Sequence, residues 1–337
     1  MFQSLKQLYR DIKNGSKRVF SIRTEGIERV LEILGKQFRW TRWLTRLKVI
    51  LFFKLFKCNL SEADQRFHLD WYFHKKLGRT VNWDNPQTFD EKLQWLKLYY
   101  HNPLMTQCAD KVAVRDYVAQ TIGEEYLIPA IGVYSSPDEI DFDALPDRFV
   151  LKVNWGSGQN IICKDKSTLD VAETKKQLKK WMRYRKNLYF RFLEWCYKNI
   201  VPKIICEQYI EQFDKNLLDY KFICCNGQPR FVWIDTDRFV KHKRIFYDLN
   251  WNRQPFGMQY PVDDRTYPKP ENLDLMISLA KKISASFPQA RVDFYNLNGK
   301  IYFGEITFYP EAGFGVFSPP EWDLKLGQML QLPEKWV

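Results

Sequence analysis

The stretch Ala290-Arg291-Val292-Asp293-Phe294-Tyr295-Asn296-Leu297-Asn298-Gly299-Lys300-Ile301-Tyr302-Phe303-Gly304-Glu305-Ile306-Thr307-Phe308-Tyr309-Pro310 sets two apolar, β-branched and aromatic runs around an Asn-Gly pair. No short-range signal points to a β-hairpin more strongly. Each strand carries one acid. With a three-residue loop, Leu297-Asn298-Gly299, Asp293 opposes Phe303, and Asp293 and Glu305 become diagonal neighbours on one face. With a two-residue turn they fall on opposite faces. Two carboxylates on one face need a cation or a base to neutralise them. Carboxylates completed by phosphate oxygens suit Mg²⁺. The plainer alternative is a hairpin whose acids face solvent.

The 337 residues are long enough for two domains, or one divided domain, around a large core. A hydrophobic content of 45% with 27% charged residues excludes a disordered chain. The net charge of +12 is unevenly placed: residues 1–60 hold 14 Lys/Arg against 4 Asp/Glu, so +10 of it lies there. Such a segment meets a membrane surface or nucleic acid, or is simply solvated. Seven cysteines, an odd number without C-x-x-C, fit a reducing cytoplasm and a role as small core hydrophobes. No stretch has the length of a signal peptide's apolar core or of a membrane span.

In chain order, residues 1–60 read as basic helical segments. Within them, 40–57 mixes Trp, Leu and Phe with Arg and Lys in the manner of a helix lying in a membrane interface. The alternative is a helix packed on the main domain with its Lys heads turned outward. Thr88 and Glu91 form a capping box that opens a helix at Phe89. A second helix is expected around 110–118 and a short strand at 128–134. Strand 148–154 carries Lys152 and runs into Gly156-Ser157-Gly158, then a strand at 161–164. A glycine-bearing loop between strands can turn its N–H groups toward phosphate. It is neither a Walker loop nor a Rossmann fingerprint, since the lysine precedes the glycines and no helix follows. A lysine in an apolar strand needs an anion. Helix is expected over 171–199, a strand over 204–210 ending at Glu211, a hairpin 219–225/230–235 carrying Lys221, and an amphipathic helix over 271–287.

Lysines near or in strands, a glycine loop, acids at a strand end and a hairpin carboxylate pair are the parts of a nucleotide phosphoryl site. Their order resembles the ATP-grasp superfamily, and from about residue 65 onward the TupA-like (teichuronopeptide-type) ATP-grasp family of surface-polysaccharide gene clusters. The resembling stretches are KLGRTVNWDNPQTFDEKLQWLKLY, ADKVAVRDYV, FVLKVNWGSGQNIICKDK, IICEQYIE, LLDYKFICCNGQPRFVWIDTDR, KRIFYDLNW and RVDFYNLNGKIYFGEITFYPEAGF.

The resemblance implies an α+β ATP-grasp fold whose two subdomains clamp the nucleotide. It divides the chain into a basic extension (1–60), a helical and αβ region (61–140) and the nucleotide- and metal-binding core (141–337). It implies ATP and Mg²⁺ as cofactors. Lys111 and Lys152 would contact phosphates, and Gly156, Ser157 and Gly158 would close over them. Glu207, Gln208, Tyr209 and Ile210 would meet the adenine, and Glu211 the ribose. Lys221 would reach the γ-phosphate, Asp293 and Glu305 would bind Mg²⁺, and Arg291 would touch an acyl phosphate. Many ATP-grasp ligases carry Asn two residues after the metal-binding Glu. Thr307 stands there instead, which weakens the hold on a second metal.

The implied activity is a carboxylate–amine ligase acting through an acyl phosphate. Its partners would be an anionic sugar or polysaccharide precursor and an amine such as an amino acid, met in the cytoplasm or at the inner membrane face. Arg238, Lys241, His242, Lys243 and Arg244 form a basic run suited to an anionic sugar, or to plain solvation. The competing readings are a phosphotransferase acting on a sugar hydroxyl, with Asp235 or Asp237 as base, and a glycosyltransferase using Asp235-Thr236-Asp237 as a D-x-D. A binding protein with a decayed site is a third, and nucleic-acid binding lacks any motif.

Overall fold

The structure is a computed structural model describing residues 21–25, 28–33, 36–41, 60–183, 187–210, 218–237 and 241–336. The chain forms two units, 1–68 and 69–337. In the first, β1 (Ser21–Glu25), β2 (Glu28–Ile33) and β3 (Lys36–Thr41) make an antiparallel sheet in that order. Helical segments were expected here. Ile22, Thr24, Val30, Ile33 and Thr41 are β-branched and favour the pleated backbone instead. Beyond Trp40 and Thr41, which end β3, the 40–57 segment read as an interfacial helix lies outside the described residues. Among the described residues no helix is long and apolar enough to cross a membrane.

Helix α1 (Glu62–Leu77) spans the boundary in sequence. Helix α2 (Phe89–Tyr99) opens on the expected box: Thr88 Oγ1 accepts from Glu91 N, and the Glu91 side chain accepts from Thr88 N. After α3 (Pro103–Ala109) and α4 (Val114–Thr121) come β4 (Ala130–Tyr134), β5 (Phe149–Val153) and β6 (Asn160–Cys163). Helix was expected throughout 171–199; among the described residues the α-helices there are α5 (Val171–Trp181) and α6 (Tyr189–Phe192), followed by a 3₁₀ turn at Trp195–Tyr197. The Asn187 side chain accepts from Tyr189 N at 2.9 Å and donates to Tyr197 O at 2.5 Å. It therefore turns the backbone instead of propagating a helix. Strand β7 (Ile204–Gln208) completes an antiparallel sheet in the order β4-β7-β5-β6.

The second sheet is built from β8 (Asp219–Cys225), β9 (Gln228–Thr236), β10 (Lys243–Tyr247), β12 (Gln289–Leu297) and β13 (Lys300–Thr307), in the order β10-β9-β8-β12-β13. The short pair β11 (Gly257–Met258) and β14 (Phe317–Ser318) lies beside it. Both hairpins turn on Asn-Gly with positive φ: 51° and 71° at Asn226-Gly227, 50° and 86° at Asn298-Gly299. That is the geometry for which this pair is favoured. Helix α7 (Leu273–Ser284) lies along β8, β9 and β12 and buries Leu273, Met276, Leu279, Ala280 and Ile283, the expected amphipathic stripe. Helix α8 (Glu321–Gln328) packs on α2.

At Gly227 a Cβ would come within 3.0 Å of the Ala285 backbone, on top of the left-handed φ. Gly227→Ala is therefore expected to cost at least about 1–2 kcal/mol. A fall in the urea midpoint at unchanged slope would measure it.

The opening hairpin resolves its register in a third way. Its turn has two residues, yet a bulge between Asp293 and Phe294 leaves Gly304 as an extra residue, so Asp293 pairs directly with Glu305. The bulge shifts one strand by one residue, which rescues the shared face that a two-residue turn alone would have lost. A Cβ at Gly304 would meet Asp293 O at 3.1 Å, so glycine allows the close approach.

Alternation sorts this sheet into two faces. Val292, Phe294, Phe222, Val232, Ile234 and Ile245 fall on the apolar one. Glu305, Arg291, Asp293, Lys221, Asp235 and Arg244 fall on the other.

Candidate active site

Three acids and three cations form one connected network: Asp219, Lys221, Arg291, Asp293 and Glu305 on the charged face, joined by Lys111 from the turn before α4. Arg291 grips Asp293 with two parallel bonds, Nε to Oδ1 and Nη2 to Oδ2, both 2.7 Å. The same Nη2 donates to Glu305 Oε1 at 2.7 Å. Lys221 Nζ bridges Asp293 Oδ2 at 2.5 Å and Asp219 Oδ2 at 2.7 Å. Lys111 Nζ stands 3.5 Å from Glu305 Oε2 and donates to Gly156 O at 3.0 Å. Thr307 Oγ1 donates to Glu305 Oε1 at 3.3 Å. Paired charges of this kind are what allow ionised groups to sit on a largely buried face.

The two hairpin acids differ in setting. The Asp293 side chain is 2% exposed and that of Glu305 is 32% exposed. Burial alone would raise the Glu305 carboxyl, but Lys111, then Arg291 and Lys221, outweigh it and bring it down to about 2. At Asp293 burial prevails over Arg291 and Lys221, helped by neighbouring Asp219 and Glu305, and the carboxyl sits above its ordinary value.

Lys111 is positioned by Asn154. Its backbone N donates to Asn154 O at 2.9 Å, while the Asn154 side chain accepts from Lys203 N at 2.8 Å and donates to Val201 O at 2.9 Å. The glycine loop leaves this knot with Gly156 at φ 75° and Gly158 at φ 71°, and Trp155 is fully buried beneath it. On the four-stranded sheet, Lys152 and Glu207 are diagonal neighbours across β5 and β7, with Nζ 2.6 Å from Oε2. Arg115 joins them, 3.5 Å from Glu207 Oε1 and 2.9 Å from Ile128 O. One cleft between the two sheets is lined by Lys111, Arg115, Lys152, Tyr197, Glu207, Phe303, Gly304 and Glu305, among others.

The structure thus brings together Lys111, Lys152, Gly156, Glu207, Lys221, Arg291, Asp293, Glu305 and Thr307. Gln208 ends β7 exposed, while Tyr209 and Ile210 are buried beside it. Ser157 and Gly158 lie at the exposed tip of the glycine loop. Glu211 and Arg238 lie outside the described residues. The rest of the basic run is dispersed. Lys241 is exposed, and Lys243 falls on the face opposite Arg244.

Arg244 is 3% exposed and fully engaged. It donates to Asp235 Oδ1 at 2.7 Å, Glu311 Oε1 at 3.0 Å and Met258 O at 3.2 Å. Its guanidinium lies 4.4 Å from the centre of the Trp233 ring, which Arg291 approaches at 5.4 Å. His242 Nε2 is 3.1 Å from Asp235 Oδ1. Burial would raise Asp235, but His242, Arg244 and Lys221 hold it far below the ordinary carboxylate range. Asp237 pairs with Arg265 at 2.6 Å.

Sequence reasoning missed Arg115, Asp219, Tyr197 and Glu311. Only Asp219 left a usable trace, two positions before Lys221 on the same strand face.

Among the described residues six cysteines are free and buried, as expected of small core hydrophobes. Burial pushes Cys108, Cys206, Cys224 and Cys225 up to about 12, which leaves them unreactive.

The donor set fits Mg²⁺ in one mode. Among the described residues no group of three or more His, Cys, Asp or Glu is arranged to hold a metal by itself. Two carboxylates and a hydroxyl need phosphate oxygens or water to complete an octahedral shell, which is the usual state of Mg²⁺ in phosphoryl sites. Glu305 is open to such an ion, whereas Asp293 is taken by Arg291 and Lys221.

Comparison with known proteins agrees. The family model for TupA-like ATP-grasp proteins matches residues 91–331. No curated protein matches. The chain is similar to D-alanine–D-alanine ligase from Bacillus anthracis complexed with ATP, at 14% identity and TM-score 0.36, over 60% of this chain and 54% of that one. It is similar to D-cycloserine synthetase DcsG at 15% identity and TM-score 0.38, over 67% and 70%. It is also similar to an L-amino acid ligase from Bacillus licheniformis at 12% identity and TM-score 0.38, over 63% and 44%. The chain therefore spans little more than half of the Bacillus anthracis ligase and less than half of the Bacillus licheniformis one. The match over 91–331, most of the chain, decides the family: this is a TupA-like ATP-grasp protein, a member of a fold class that uses ATP and Mg²⁺.

Proposed function

We propose that the chain is an ATP- and Mg²⁺-dependent carboxylate–amine ligase that modifies an anionic surface sugar or its lipid-linked precursor. The observation that carries the ligase reading is the continuous network Lys111–Glu305–Arg291–Asp293–Lys221. It supplies positive charge to phosphate on both sides of a magnesium-type carboxylate and includes no Ser, Cys or His nucleophile. The sugar class rests on the resemblance to polysaccharide-cluster proteins. The +10 carried by residues 1–60 would favour an anionic membrane face.

In the reaction, a substrate carboxylate oxygen attacks the γ-phosphorus of ATP. The bond to the β-bridging oxygen breaks, and ADP leaves. The amine nitrogen then attacks the acyl carbon, the C–N bond forms, the C–O bond to phosphate breaks, and the amine proton passes to solvent. Lys111 and Lys152 hold phosphate oxygens, with Gly156, Ser157 and Gly158 over them. Arg291 and Lys221 neutralise the transferring group, and the β7 end from Glu207 to Ile210, continuing to Glu211, takes the adenosine. Magnesium held by Glu305 and Asp293, with Thr307 beside them, would add Lewis-acid charge to the phosphates. Positioning and charge neutralisation are the protein's main contribution.

The phosphotransferase and glycosyltransferase readings both need a free carboxylate at Asp235 or Asp237. Asp235 is held ionised by Arg244 and His242 and is a weak base, and Asp237 is paired with Arg265. Arg244 is likewise committed to acids. That leaves Lys241 and Arg238 as the cations of the run to be tested toward an anionic sugar.

The test is hydroxylamine trapping with Mg·ATP across a panel of uronic acids and uronic acid nucleotides. ATP-dependent hydroxamate is the expected product. A phosphorylated sugar with no hydroxamate would replace the ligase reading by the phosphotransferase one.

A further inference from the structure

Tyr197 lines the cleft with Lys111, Lys152 and Glu305, and nothing in the reading above uses it. Its residue is 9% exposed. Among the described residues its hydroxyl has no hydrogen-bond partner. A hydroxyl without a protein partner at the wall of a cleft is free to donate to a ligand oxygen.

The backbone around Tyr197 is firmly held. Tyr197 ends the short 3₁₀ turn Trp195–Tyr197, with its N–H on Glu194 O at 3.1 Å and its carbonyl on the Asn187 amide at 2.5 Å. Trp195 stacks on His101, 4.9 Å between ring centres and 10° from parallel. Behind the turn, buried Lys97 and Glu194 sense each other's charge. Lys97 also donates to Ala312 O at 2.6 Å, just past the strand that carries Glu305. The turn and the metal strand thus share one anchor.

Burial, together with the charges of Cys196, Glu194 and Glu305, pushes the Tyr197 phenol well above its ordinary value, and only Arg291 opposes them. A phenol is a neutral donor at neutral pH, and Tyr197 lines the cleft with both lysines. Two lysines and a hydroxyl around one space match a phosphoryl group, whose transferring charge is spread over three oxygens.

We propose that Tyr197 is a further catalytic residue, whose hydroxyl donates a hydrogen bond to the terminal phosphoryl group of ATP between Lys111 and Lys152. The inference rests on the ATP-dependent reading above and adds a neutral donor to its cations. The donor needs no proton transfer. It strengthens as charge builds on the oxygen during transfer.

Tyr197→Phe tests it, because the ring is kept and no intramolecular hydrogen bond among the described residues is lost. The measurement is calorimetric titration with Mg·AMP-PNP and with Mg·ADP, wild type against variant. The affinity ratio of AMP-PNP to ADP is expected to fall about 10- to 100-fold, the worth of one hydrogen bond to a charged group. An unchanged ratio, whether both affinities hold or fall together, would overturn the proposal and leave Tyr197 a structural residue. If wild type binds neither nucleotide, the ATP-dependent reading falls first and takes this inference with it.

Discussion

Arg291→Leu is expected to destabilise the protein by about 3–5 kcal/mol, the usual cost of removing one partner from a buried ion network. Arg291 touches both hairpin acids, with three bonds of 2.7 Å to Asp293 and Glu305. Burial works against its charge, yet Asp293 and Glu305, with further help from Asp219, hold the guanidinium well above its already high value. A leucine, shorter and uncharged, would leave Asp293, 2% exposed, with Lys221 alone to offset it and Asp219 beside it. The melting temperature should fall by roughly 10 °C on these figures. Arg291→Lys should fall between the two, since an ammonium keeps the charge but not the two-pronged grip on Asp293. A loss below about 1 kcal/mol would mean that the network is more solvated than its burial shows.

Glu305→Gln is the second large effect, and it falls on ligand binding instead of stability. The amide keeps the shape of a side chain that is one-third exposed, so the fold should tolerate it. It removes the more exposed of the two hairpin carboxylates, 32% against 2%, while Asp293 stays held by Arg291 and Lys221. Disturbing the groups that merely orient a metal ligand costs 10- to 100-fold in affinity. Losing the ligand itself is expected to weaken Mg²⁺-dependent AMP-PNP binding by at least about 100-fold. Binding without Mg²⁺ should change little by comparison. The titration that checks it compares both proteins with and without Mg²⁺. Equal dependence on Mg²⁺ in wild type and variant would remove Glu305 from the metal site.

Much of this site was legible in the sequence because it rests on local chemistry. Thr88 and Glu91 announce a helix start through two backbone bonds that need only the two residues themselves. Asn226-Gly227 and Asn298-Gly299 announce hairpins through positive φ. Alternation in the β12 and β13 runs places Asp293, Arg291 and Glu305 among apolar neighbours.

What stayed hidden depends on tertiary partners. The bulge at Gly304 decides whether Asp293 and Glu305 share a face, and a lone glycine in a strand marks it only faintly. Arg244 sits in a run, Lys241-His242-Lys243-Arg244, that looks like a solvated loop. Strand alternation separates it from Lys243 and delivers it to Asp235 and Glu311, which are 9 and 67 positions away. The basic segment before residue 60 has helical composition in part, yet Ile22, Thr24, Val30, Ile33 and Thr41 go into strands. Tyr197 offered no signal, since its cleft neighbours include Lys111, 86 residues before it, and Glu305, 108 residues after it.

In the proposed function Glu305 and Asp293, backed by Lys111 and Lys152, hold the metal–nucleotide complex. The most direct measurement is a crystal of the protein with AMP-PNP and Mn²⁺, read by the anomalous signal of manganese. The expected result is a peak about 2.1 Å from Glu305, with Asp293 released from Arg291 to share the ion and the terminal phosphoryl group near Lys111 and Lys152. A manganese peak at Asp235 or Asp237, with the Arg291–Asp293 pair undisturbed, would contradict it and move the active site to the other end of the sheet.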